Sequence, residues 1–443
     1  MTAGTPHATL QRLAAVRTHG CALRLDLGRL GHPSGAPDDL PSEGNVDRDA
    51  SRLARPRPGR GPGFRRPIAG AFIGAPAGPT LPRVMPRNPA SSASLFDDES
   101  PTAAAAASES ARGGAVAPAP GTDELRRLGR QLPAGVFLGT SSWSFGGWSM
   151  VYAGGASESL LSRRGLPAYS AHPVLRAVGI DRSFYQPPAQ REYERYAAQV
   201  PPQFRFLVKA PARVADAVVR GEGGAAAVDN PTFLDAALAR ECFVEPALRG
   251  LGAKAGPLVF QLSPLPARLA RGAAAHATID RIARFVADLP REVDGQAALY
   301  AVELRNAELL TPRFVHALRA AGARLCLGVH ARMPPAARQG AALRAMDAVD
   351  RCGDDWQLAG PLVVRWSLHA GLKYDEAKNR YAPFDRLLDP DIPTRGTLAH
   401  LIHVAVRSSQ PAYIIVNNKA EGSAPLSCIE LARAVVGRSG DAG

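Results

Sequence analysis

The chain has 443 residues, 46% of them hydrophobic, with a formal net charge of +13 and an isoelectric point near 10. No run of about 18 apolar residues occurs, so no transmembrane helix or membrane partner is expected, and the N-terminus lacks an apolar core followed by a cleavage site, which leaves a cytoplasmic protein as the expectation. Only five of the 53 basic residues are lysine, and the arginines are scattered rather than interleaved with aromatics, which fits a G- and C-biased coding sequence better than nucleic-acid binding.

Residues 1–122 read as a disordered leader. Stretches such as RLARPRPGRGPGFRRP and TAAAAASESARGGAVAPAPG hold Pro, Gly, Ala, Ser and Arg with almost no aromatics. Such a segment cannot bury enough apolar surface to offset its ordering entropy. The run from Met85, MPRNPASSASLFDDESP, has the look of a more ordinary start, so Met1 is not expected to be the biological one. The cysteines (Cys21, Cys242, Cys326, Cys352 and Cys428) form no CxxC or Cys/His pattern. Reduced thiols are therefore expected, with Cys326 a small buried hydrophobe.

From residue 123 the texture changes. DELRRLGRQL reads as an amphipathic helix. Eight apolar runs follow in strand-like form: VFLGTSSW (136–143), AVGIDRSFY (177–185), FRFLVKAP (204–211), PLVFQLSP (257–264), YAVELRN (300–306), ARLCLGVH (323–330), PLVVRWSLH (361–369) and AYIIVNNK (412–419). Few charges interrupt them, the pattern of strands covered on both faces. Helical stretches lie between, among them REYERYAAQV, IDRIARFVADL and TPRFVHALRAAG. In the last, Thr311-Pro312 is a good N-cap and first helical position, and Gly322 a good stop. Strand and helix alternating eight times predict a single (β/α)8 TIM-type barrel over 123–443. An open doubly wound sheet is the weaker alternative, since no Gly-rich phosphate turn follows the first strand.

Alternate strand residues share a face. Polar side chains of one parity recur: Asp181, Ser183 and Tyr185 in the second run; Glu303 and Arg305 in the fifth; Arg365, Ser367 and His369 in the seventh; Asn417 and Lys419 in the eighth. Lys209, Gln261 and His330 stand near the ends of the third, fourth and sixth. A helix-facing surface would be apolar, so this parity should face the barrel interior, gathered where the active sites of such barrels lie. A mutually satisfied ion-pair network is the plainer account of these groups, and the two accounts are compatible.

Seven stretches also resemble a known family: GTSSWSFGGW (139–148), IDRSFYQ (180–186), FRFLVKAP (204–211), GPLVFQLSP (256–264), VELRN (302–306), HAGLKYDEAKNRY (369–381) and IIVNN (414–418). They are similar, in order, to the YecE-like barrels, known as domain of unknown function 72. The resemblance implies a TIM-type fold over about 135–435 and a site at its mouth, but no reaction, since the family's activity is not established. Two positions depart from its pattern: Gly179, where an acidic residue is usual, and Ser142, where glycine is.

The expected pocket is net positive, because Lys209, Arg305, Arg365 and Lys419 outnumber Asp181 and Glu303. Such a cavity favours a small anionic or polyhydroxylated ligand. Glu303 is the leading acid/base candidate and His369 the next. Lys209 and Arg365 are expected to clamp the anion, and Tyr185, Asn417 and Asn418 to orient the ligand. Trp143, Phe145 and Trp148 are candidate walls. No metal site and no cofactor are expected, as no HxH, HExxH or acidic cluster occurs. A binding protein without chemistry and a nucleic-acid enzyme are the competing readings.

Overall fold

The computed structural model describes residues 115–219, 228–347 and 356–440, to which all structural statements refer. Of the leader expected over 1–122, residues 1–114, with the alternative start at Met85, lie outside the described residues. Ahead of the first helix, Ala119 N donates to Val151 O and Ala153 N to Ala117 O, so this short segment is already tied to the domain. Helix α1 (Asp123–Gln131) follows, with the Thr122 hydroxyl accepting from Leu125 N at 3.2 Å.

Eight parallel strands close a barrel: β1 (Val136–Thr140), β2 (Leu175–Ile180), β3 (Arg205–Lys209), β4 (Ala255–Gln261), β5 (Tyr300–Glu303), β6 (Arg324–Val329), β7 (Leu362–Trp366) and β8 (Ala412–Val416). Each lies at the start of, or within a few residues of, its predicted run. The closing seam pairs Val136 with Ala412 and Thr140 with Val416. Between β1 and β2 the register shifts at Leu138/Gly139. A Cβ on Gly139 would meet Ala177 O at 2.0 Å, so only glycine permits that approach.

Helices form the outer ring: α2 (Glu158–Arg164), α3 (Leu166–Ser170), α4 (Gln190–Ala198), α5 (Glu245–Leu251), α6 (Gly272–Ala287), α7 (Pro312–Ala320), α8 (Ala336–Asp347), α9 (Tyr374–Tyr381), α10 (Ile392–Arg407) and α11 (Ala424–Gly440). Thr311 caps α7 through Phe314 N at 3.3 Å, and Gly322 beyond its end has φ of 73°, as the turn chemistry requires.

Strand parity divides the apolar side chains into two cores. Leu138, Val178, Leu258, Phe260, Val302, Val364 and Ile414 pack outward under the helices. Phe137, Ala177, Leu207, Val259, Ala301, Cys326, Val363 and Tyr413 fill the barrel interior. Two residues further along four of those eight strands, on the same inward parity, the side chains turn polar: Lys209, Gln261, Glu303 and Arg365.

Candidate functional site

The polar tier is organised by Arg365. Its Nη1 donates to Gln261 Oε1 at 2.6 Å and to Glu303 Oε2 at 2.8 Å, and its Nη2 donates to Asp181 Oδ2. A planar guanidinium can serve three acceptors from three strand ends in this way; an ammonium cannot hold them in one plane. Arg305, two residues beyond β5, brings its Nη2 to 2.6 Å from the other Glu303 oxygen and donates to Gln261 Oε1 at 3.1 Å and Ser367 Oγ at 3.3 Å. Glu303 is thus 0% exposed and gripped by two arginines. The inward position on neighbouring β6 is Gly328, where a Cβ would lie 2.8 Å from Glu303 Oε1.

Burial and charge act on these groups in different proportions. For Arg365 burial disfavours the charge, but Asp181 and Glu303 outweigh it, so its pKa is raised. Arg305 is lowered by burial, with Glu303 opposing. Burial, with Arg365 adding to it and Asp181 opposing, brings Lys209 down to about 8. His330 is lowered to about 3 by burial and then by Arg305. Several buried atoms have no hydrogen-bond partner: Arg305 Nε and Nη1, Arg365 Nε, Gln261 Nε2 and Asp181 Oδ1.

These groups face a cavity of about 50 Å³ at the C-terminal ends of the strands, walled by Asp181, Tyr185, Lys209, Gln261, Arg305, His330, Arg365, Ser367, Leu368, Tyr374 and Asn417. A larger cleft of about 320 Å³ adjoins it over β1 and β2 and shares Asp181 and Tyr185 with it. Ser141, Ser142, Ser144, Ser162, Glu158 and Gln186 line that cleft together with Trp143 and Phe145. Three cations (Lys209, Arg305, Arg365) and two carboxylates (Asp181, Glu303) make up the tier.

Eight sequence-predicted residues therefore meet at one cavity: Asp181, Tyr185, Lys209, Gln261, Arg305, His330, Arg365 and Asn417. Trp143 joins them through the cleft, its Nε1 donating to Ser162 O at 3.3 Å. Four others line neither space. Glu303 stands behind the arginines. His369 is half-buried, its Nδ1 2.8 Å from Ala370 O and its backbone N–H given to Lys419 O. Asn418 Oδ1 accepts from Trp148 Nε1 at 3.2 Å and from Ala424 N at 2.9 Å, holding Trp148 and the start of α11. Lys419 Nζ lies 4.4 Å from the Tyr374 ring centroid and 5.8 Å from that of Phe384, behind Tyr374 rather than beside the cavity.

Glu303 lies within β5 and faces inward as expected, but Arg305 and Arg365 cover it; for Ser183, His369 and Lys419 the cause is the backbone beyond the strands. The strands stop at Ile180, Glu303, Trp366 and Val416, and the polar tails turn away: 181–184 and 418–420 are 3₁₀ turns. Parity does not survive such a turn. Ser183, predicted to face inward, donates to Ile180 O and Lys209 O. Parity does not find the cleft serines or Tyr374, although Ser141, Ser142, Ser144 and Tyr374 lie in the GTSSWSF and HAGLKYDEAKNRY stretches that carry the family resemblance; Ser162 lies outside both.

Among the described residues, no group of three or more His, Cys, Asp or Glu side chains is arranged to hold a metal ion, and no helix is long and apolar enough to cross a membrane. The fold and cavity define a parallel TIM-type barrel with a cation-rich mouth. The pattern of the family described as "Protein of unknown function DUF72" matches residues 137–441, and the chain belongs to that family. Solved structures similar to it include a DUF72 family protein from Enterococcus faecalis, 16% identical over 68% of this chain and 95% of that one, with a TM-score of 0.44. Another, from Thermotoga maritima, is 16% identical over 67% and 97%, also with a TM-score of 0.44. No curated protein matches the chain.

Proposed function

We propose that this chain is an enzyme that binds a small anionic substrate at the barrel mouth and moves a proton on it with Lys209. The observation that carries this reading is Arg305: a buried guanidinium on the cavity wall whose Nε and Nη1 have no acceptor. Buried donors left unmade cost about 1–3 kcal/mol each, and a phosphate or carboxylate supplies acceptors in the geometry a guanidinium prefers. The cation excess of the tier points the same way.

Lys209 suits the chemical step. With a pKa of about 8 it is mostly ammonium at pH 7 but keeps a minor amine fraction that free lysine lacks, and so comes within reach of the range where a proton-transfer group works. The amine takes a proton from a C–H or O–H next to the anionic group, and the resulting ammonium delivers it to a different atom of the same substrate, so that the substrate is isomerised and Lys209 regains its starting state. Glu303, the first choice from sequence, has both oxygens against arginines and no path to a ligand; it acts as a positioning residue for Arg305 and Arg365. His369 lines neither space and has no part in this reading.

Calorimetry with inorganic phosphate and small carboxylates, joined to a turnover screen of compounds bearing those groups, tests the proposal. Wild type should bind an anion saturably, and Arg305→Met should weaken that binding at least tenfold. Lys209→Met should abolish turnover of any substrate found. Absence of anion binding in wild type, or unchanged affinity in Arg305→Met, overturns the binding part. Turnover that survives Lys209→Met overturns the chemical part.

A further inference from the structure

We infer that the substrate has two parts: the anionic group held at Arg305, and an uncharged, hydroxyl-bearing ring lodged in the serine-lined cleft, as in a phosphorylated or carboxylated sugar. This rests on the anion reading above and adds the class of the remainder of the molecule. The cavity at Arg305 is about 50 Å³ and admits little beyond the charged group, whereas the adjoining cleft of about 320 Å³ has room for a ring. Both spaces open onto Asp181 and Tyr185, so a ligand anchored in the first extends into the second past those two side chains.

The cleft walls, where Glu158 and Asp181 stand among the serines, select against a second anionic group and for hydroxyls. Ser142 Oγ and Ser144 Oγ lie 3.0 Å apart, and the Ser141 hydroxyl accepts from Asn417 Nδ2 at 2.8 Å. Hydroxyls donate and accept alike, as sugar hydroxyls do. Arg182, the one arginine on this wall, is engaged by Glu192 and the Tyr196 hydroxyl. Asp181 is 9% exposed, and its Oδ1 has no hydrogen-bond partner while Oδ2 is held by Arg365. A fixed, buried acceptor at the junction is met by a hydroxyl on the atom next to the anionic group. Tyr185 stands 49% exposed at the same junction, an unusually open aromatic face on which a sugar ring can lie.

Calorimetry with three kinds of probe separates the parts: inorganic phosphate, glucose, and a panel of pentose and hexose phosphates with a hexuronate beside them. At least one linked probe should bind tenfold or more tighter than phosphate, and glucose alone should bind weakly. Tyr185→Ala, half-exposed and so expected to fold, should remove most of that excess, read as the ratio of linked-probe to phosphate affinity because Tyr185 also lines the anion cavity. Ser142→Leu, which fills the cleft, should do the same by a different route. If phosphate binds but no linked probe binds more tightly, or if both variants keep the excess, the two-part substrate is overturned and the anion reading stands. If neither phosphate nor any linked probe binds, the anion reading falls and takes this inference with it.

Discussion

Arg365 and Lys209 sit in the same polar tier, yet removing each should move stability in opposite directions. Arg365 is the shared partner of Asp181, Glu303 and Gln261. Arg365→Met strands two buried carboxylates and should cost about 3–5 kcal/mol in urea unfolding, the usual penalty for breaking a buried pair from one side. Adding Glu303→Gln should recover part of the loss, and full additivity of the two substitutions would contradict the network. Lys209 is the opposite case. Its folded pKa of about 8 lies below the ordinary 10.5, so between those values the unfolded chain holds a proton that the folded chain lacks. Stability therefore rises with pH across that window, and below about 8 the buried ammonium is a standing cost. Lys209→Met should stabilise the protein at pH 7 by up to about 3 kcal/mol and remove the rise above pH 8. A variant that is less stable at pH 7 and keeps the rise would contradict this account.

Strands are the elements that were legible in the sequence, and their ends are where legibility failed. All eight barrel strands follow from short apolar runs, because a strand covered on both faces needs little else. The inward parity of Lys209, Gln261, Glu303 and Arg365 is read correctly for the same reason: these residues lie within strands. Beyond Trp366 and Val416 the same alternation assigns His369 and Lys419 to the cavity, but the backbone has left the sheet, and a period of two no longer describes it. Helix α9, which brings Tyr374 to the cavity wall, carries too few apolar residues to announce itself by pattern. Strand β6 supplies the test at this scale. Gly328 faces Glu303, and its backbone N–H and C=O are clamped by the Gln339 side chain of α8 at 3.0 and 2.9 Å. Neither the strand nor the doubly paired carboxylate can yield, so Gly328→Ala should cost about 1–3 kcal/mol, as overpacking does. Gly328→Ala should also weaken anion binding by displacing Arg305, whereas Gly437→Ala on α11, with nothing within 4 Å of the added Cβ, should leave binding unchanged and raise stability slightly through helix propensity. Denaturant midpoints and phosphate titration of the two variants check this.

At the scale of the whole molecule, one buried and one half-buried histidine make stability depend on acid in ways that an anion can separate. His172, in the turn before β2, accepts from Val174 N through Nδ1 at 3.2 Å and is lowered to about 4 by burial. His330, after β6, accepts from Arg332 N at 3.1 Å and is lowered to about 3 by burial and Arg305. Both are neutral in the folded chain at pH 7. Below about 6.5 the unfolded chain takes up protons that the folded chain refuses, so the stability present above pH 6.5 is lost as pH falls toward 4. For His172 alone the loss approaches about 3 kcal/mol at pH 4. His330 lines the proposed anion cavity, whereas His172 lies at the opposite end of the barrel. Sulfate, which stays a dianion over this range, should raise the proton affinity of His330 when bound and leave His172 untouched. Urea unfolding at pH 7, 6 and 5 should therefore show a shallower acid loss for His172→Gln whether or not sulfate is present. In wild type, sulfate should reduce only the share of the loss owed to His330. If sulfate flattens the curve of His330→Gln as much as that of wild type, the anion does not sit beside His330 and the cavity assignment is wrong.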